Sequence, residues 1–185
     1  TATRTGLQWS HKLTAAADYR RANGVTSRER YFAGYEPRYE FDPRGFVYGL
    51  AQFERDTSIG YDERYTGSIG VGYKIIMSKP LDLSADIGPS VRHAKYLIGE
   101  RETKLGARGS MALAWRISPL VTFKQTAAAY AESDVLSLNS LTSMETKVAT
   151  RWAAAISYNV QYESETLLSA RNFNTLSRLT LSYDF

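Results

Sequence analysis

Cysteine is absent from this 185-residue chain, so neither a disulfide framework nor a thiolate metal site exists. No run approaches the roughly 18 apolar residues that a transmembrane helix needs. Histidine is limited to His11 and His93, which leaves little for chemistry that pairs a serine with an imidazole base. The start, Thr1-Ala2-Thr3-Arg4, lacks the apolar core of a signal peptide, so for an exported protein a leader has been removed or is not included in this sequence. The formal charge is only +4 and the basic residues are spread among acidic ones, so there is no nucleic-acid footprint. Mean hydropathy is negative, which read alone suggests solubility in water. That reading is weak, because a barrel strand gives only every second residue to the membrane. The length accommodates a single domain over residues 1–185.

What the chain has is alternation. Its last five residues, Leu181-Ser182-Tyr183-Asp184-Phe185, place three apolar side chains on one face of a strand and two polar ones on the other. At least nine other stretches repeat the pattern. The clearest sets Tyr65, Gly67, Ile69, Val71 and Tyr73 against Arg64, Thr66, Ser68, Gly70, Gly72 and Lys74. A helix would need apolar repeats at every third and fourth residue, which would scatter Lys74, Asp82 and Asp86 around its axis. The spacing predicts about ten strands: Leu7–Asp18, Arg28–Glu40, Phe46–Arg55, Arg64–Ile75, Leu81–Arg92, Thr103–Ile117, Leu120–Ala131, Thr142–Trp152, Ile156–Glu163 and Thr175–Phe185. Pro37 cannot donate to a ladder, so a bulge or slip is expected there.

The connections alternate too. Those near residues 20–27, 56–62, 132–139 and 165–172 are long and polar, and those between them are mostly short. Outer-membrane barrels have short periplasmic turns and longer external loops. Trp9, Tyr39, Tyr73, Trp115, Trp152, Tyr183 and Phe185 cluster toward the short-turn end, as an aromatic belt at the membrane interface would. The 13 tyrosines are what such belts consume. The expected architecture is an all-β, transmembrane up-and-down antiparallel β-barrel of the bacterial outer membrane. Its first and last strands are expected to meet at a seam, because unpaired edges are costly in hydrocarbon.

With strands and loops placed, the chain resembles a family. The stretches Glu29-Arg30-Tyr31-Phe32-Ala33, Tyr48-Gly49-Leu50 with Phe53-Glu54-Arg55-Asp56, and Gly70-Val71-Gly72-Tyr73-Lys74 carry the likeness. So do Leu81-Asp82-Leu83 with Gly88-Pro89-Ser90-Val91-Arg92, then Ser157-Tyr158-Asn159-Val160 and the terminal Leu181 to Phe185. In order, they resemble the DUF481 family of bacterial outer-membrane proteins, whose members are often labelled salt-induced outer membrane proteins. The resemblance implies a barrel of about twelve strands, so the ten strands counted here either close by themselves, ten being even, or belong to a twelve-stranded barrel that lacks one N-terminal hairpin.

The predicted lumen face holds charges of both signs: Glu36, Arg38, Glu54, Arg64, Lys74, Asp82, Asp86, Arg92, Arg108, Glu145, Lys147 and Arg178. Two readings follow. The charges can pair to fill and brace a narrow interior, or they can line a path for ions or small solutes. A structural or assembly barrel with a plugged lumen and a protein partner is the alternative to a narrow channel, and an outer-membrane hydrolase ranks last. Both histidines fall by parity on the lipid side, so no catalytic residue is assigned and no enzyme is expected. No metal cluster and no cofactor motif is evident. The expected partners are outer-membrane lipid, lipopolysaccharide and the machinery that inserts barrels.

Overall fold

The computed structural model describes the whole chain except residues 1, 7, 23–24, 58–60, 98, 134, 150–151, 165–171 and 184–185. Eleven strands follow one another: β1 Ala2–Thr5, β2 Trp9–Ala22, β3 Val25–Glu40, β4 Gly45–Asp56, β5 Tyr61–Met77, β6 Leu81–Tyr96, β7 Arg101–Arg116, β8 Val121–Glu132, β9 Leu136–Ala149, β10 Trp152–Glu163 and β11 Phe173–Tyr183. Each is hydrogen-bonded to the next in one antiparallel sheet, in chain order. The period-two pattern thus located ten of these strands. The boundaries widened at their outer ends, because segments read as polar connections, such as residues 20–22 and 136–139, continue the ladder. Trp152 opens β10 rather than closing the preceding strand.

Three expectations are corrected. The sheet does not close: it is a half-barrel whose edges lie 17 Å apart, far beyond the roughly 4.8 Å of a paired ladder. The expected seam between the last strand and the first long one is therefore absent. The geometry explains why. The element missed in the sequence, β1, pairs only with Ser10 to Leu13 of β2. With every neighbour antiparallel, β1 and β11 run in the same direction, so they cannot form an antiparallel seam. Among the described residues one ion pair, Arg178 on β11 with Asp18 on β2 at 3.7 Å, reaches across the opening. Third, Pro37 makes no bulge. Tyr35↔Ala51 and Arg38↔Tyr48 keep one register on either side, and only the two intervening pairs drop out of the β3–β4 ladder.

The polarity of the sheet is inverted relative to a water-soluble protein. Its convex face exposes large apolar side chains, with Ile69 at 67%, Leu105 at 76% and Leu179 at 79%. Its concave face buries Glu54, Asp56, Arg92 and Arg108 beside Phe46, Tyr48 and Tyr130. An apolar face this extensive needs an apolar surrounding. Aromatic residues edge it at both ends. Trp9 packs on Tyr39 near the short turns, and Phe53 on Tyr65 and Tyr162 on Phe173 lie toward the long connections. On single strands the two belts stand eight residues apart (Tyr65 and Tyr73) or ten (Trp152 and Tyr162). At about 3.4 Å per residue and a tilt near 40° that is roughly 21–26 Å, close to the apolar band of an outer-membrane barrel.

One close approach shapes the concave wall. Phe46 and Tyr48 of β4 lie over Gly72 and Gly70 of β5, their ladder partners. A Cβ at Gly72 would fall 2.1 Å from the Phe46 ring, and one at Gly70 would fall 2.3 Å from the Ile87 carbonyl oxygen. The missing side chains give the two rings room to lie flat against the sheet.

Candidate functional site: the charged concave wall

Alternation along β3 to β10 turns every second side chain inward, and the inward set is charged. At its centre Glu54 accepts from Arg30 Nε at 3.0 Å and from Arg64 Nη2. Arg30 also reaches Asp56, at 3.5 Å. Arg64 extends its other arm over the interior to Glu163 of β10 at 3.2 Å. Glu163 accepts in turn from the Ser137 hydroxyl at 3.3 Å. Arg92 Nη1 donates to Ser137 Oγ at 2.9 Å and lies 3.1 Å from Glu132. Arg108 Nη1 donates to Asp86 at 2.6 Å, and Ser110 donates to the other Asp86 oxygen at 2.6 Å. Buried charge is tolerated only with such partners.

Aromatic rings complete the wall. The Arg92 guanidinium stands 4.4 Å from the Tyr130 ring centre, and Arg108 stands 5.0 Å from Tyr48 and 6.0 Å from Tyr130. The Tyr130 hydroxyl donates to Gln52 at 3.2 Å, tying β8 to β4. Lower down, Arg38 pairs with Glu36 at 3.2 Å and covers the Phe46 ring at 4.0 Å. Lys74 meets Glu40 at 2.6 Å.

These side chains surround a cavity of about 330 Å³. A second space of about 410 Å³ lies toward the short turns, between Lys74, Asp82 and Lys124. Arg38, Ala112 and Thr126 border both. Across the first cavity from the arginines stand amides, Asn139, Asn159, Gln161 and Asn174.

Of the residues expected in the charge network, the structure brings Glu36, Arg38, Glu54, Arg64, Asp86, Arg92 and Arg108 together around the first cavity. Lys74 and Asp82 border the second. Asp82 with Arg116, and Glu145 with Lys124, form exposed pairs. Lys147 is exposed and has no ion pair among the described residues. Arg178 is at the opening. Of the belt aromatics, Trp9, Tyr73, Trp115 and Trp152 are exposed and Tyr39 is half-buried. The Tyr183 side chain and Phe185 lie outside the described residues. Neither histidine faces the cavity. His11 stacks between Trp9 and Tyr35 on the convex face, and His93 bonds Thr103 in an exposed position. Among the described residues no group of acids and histidines could hold a metal ion.

Arg30, Asp56, Glu132 and Tyr130 are members of the wall that sequence reasoning missed. Arg30 shares the parity of Glu36 and Arg38 and was legible. Asp56 and Glu132 close strands that had been ended too early, so their faces were never assigned.

A family model described as "Protein of unknown function, DUF481" matches residues 1–185. No curated protein matches the chain. Among solved structures, one described as "NanC porin structure in rhombohedral crystal form" aligns with a TM-score of 0.56 at 11% identity. The alignment covers 98% of this chain and 96% of that one. At this identity the likeness speaks for the fold alone.

Proposed function

From a chain that belongs to the DUF481 family and has its place in the bacterial outer membrane as a β-sheet protein related in fold to a porin, we propose a narrow conduit for ions or small solutes. The observation that carries this is the buried, mixed-charge concave wall around the cavity of about 330 Å³. A face built only to pack would not keep open polar space beside arginines. Lipid and lipopolysaccharide are the partners of the convex face on this reading, and the insertion machinery is a transient one. The chain is not an enzyme on this reading.

A second reading is favoured by the ties that cross the interior, Arg64 to Glu163 and Tyr130 to Gln52. They brace the wall as a structural or assembly element would, with side chains filling the concave face. Purified protein in planar bilayers distinguishes the two. The conduit gives stepwise conductance that vanishes when the protein is left out, whereas a silent bilayer containing folded protein refutes it in favour of the braced, filled form.

A further inference from the structure

We propose that Arg92 and Arg108 form a binding site for a small carboxylate anion, which rests on the conduit reading and names the solute class its cavity takes. Both side chains line the cavity, and both are more than nine-tenths buried, at 8% and 7% exposure. Each has protein partners, and Arg108 is hydrogen-bonded to the Tyr48 side chain besides its acid. Nη1 of Arg92 meets Ser137 and Glu132, and Nη1 of Arg108 meets Asp86. The Nε–H of each guanidinium has no acceptor. Buried donors without an acceptor are rare in folded proteins, and two occur here on the same cavity wall.

Position of charge supports an anion. Six cationic and four acidic side chains line the cavity, a difference of two. The acids that balance Arg30 and Arg92 from outside this lining are Asp56 and Glu132. Neither lines the cavity, so the surface a solute meets is richer in cations than the wall as a whole. The facing side carries the amides Asn139, Asn159, Gln161 and Asn174, which add hydrogen bonds without charge, and its acid, Glu163, is engaged by Arg64. A carboxylate matches the paired N–H geometry of a guanidinium edge. The volume is at the small end of ligand sites, which restricts the guest to a few carbon atoms. The Tyr130 ring centre lies 4.4 Å from the Arg92 guanidinium and 6.0 Å from that of Arg108, and burial leaves both side chains little freedom to lose on binding.

The test uses the full chain in detergent, sodium propionate as probe and propionamide as its uncharged analogue, followed by titration calorimetry. Propionate is expected to bind at least tenfold more tightly than propionamide. Arg92→Lys and Arg108→Lys keep the charge and lose the fork, and each is expected to weaken propionate about tenfold. Lys124→Gln, at the second space, is expected to leave binding unchanged. A measurement on the unmodified protein guards against misfolded variants: arginine Nε–H resonances should shift with propionate and not with propionamide. Equal affinity for the two probes, wild-type affinity in both lysine variants, or unmoved arginine resonances would overturn the site. Calorimetry needs no ion flow. A null titration beside intact conductance refutes this site alone, and binding in a silent bilayer refutes the conduit alone.

Discussion

Replacing Glu54 by Gln tests whether the concave wall is held by buried charge. Glu54 is 6% exposed and joins two arginines from neighbouring strands, Arg30 on β3 and Arg64 on β5. Glutamine keeps the shape and one acceptor oxygen but removes the charge. Two guanidinium groups, with side-chain exposures of 16% and 12%, then share fewer anions. Breaking a buried pair by removing one partner costs about 3–5 kcal/mol. Arg30 keeps Asp56 and Arg64 keeps Glu163, so the lower end, about 3 kcal/mol, is expected. With a urea slope near 2 kcal/mol/M, the unfolding midpoint falls by roughly 1.5 M. The same substitution at Glu145 is the internal control. Its pair with Lys124 is close, at 2.8 Å, but both side chains are more than two-fifths exposed, so the loss is below about 1 kcal/mol. Tryptophan fluorescence in detergent, followed through urea unfolding and refolding, reads both. Equal midpoint shifts for the two variants would refute the reasoning, because it makes the cost depend on how buried the pair is.

Two further substitutions probe the opposite faces. Ile69, four residues from Tyr65 and four from Tyr73, sits midway between the aromatic belts on the convex face. Ile69→Lys is expected to cost about 2–4 kcal/mol in lipid vesicles, and a cost near zero would mean that this face does not meet hydrocarbon. Gly70→Val places a side chain where a Cβ already falls 2.3 Å from the Ile87 carbonyl. Overpacking of this kind costs about 1–3 kcal/mol, and unchanged thermal unfolding would show that β5 and β6 do not approach as described.

The sequence by itself determined the strands, their faces and the environment. Ile69, Val71 and Tyr73 against Ser68, Gly72 and Lys74 admit only a period of two, and that period assigns one face to lipid and the other to polar contacts. Strand ends were less legible, since polar residues suit both a loop and the part of a strand beyond the membrane. Asp56 and Glu132 were lost to the wall for that reason. Closure belonged to the tertiary structure alone. Alternation is a property of each strand, whereas a seam depends on how many strands there are, which way the edges run and how far apart curvature leaves them. A four-residue β1 parallel in direction to β11 cannot be recognised from local pattern. Nor could the sequence say which charges meet. Glu54 reaches both Arg30 and Arg64, and Arg64 reaches Glu163 of β10, because the curvature of the sheet carries β10 round toward β5. Parity gave each charge its side of the sheet, and curvature chose its partner.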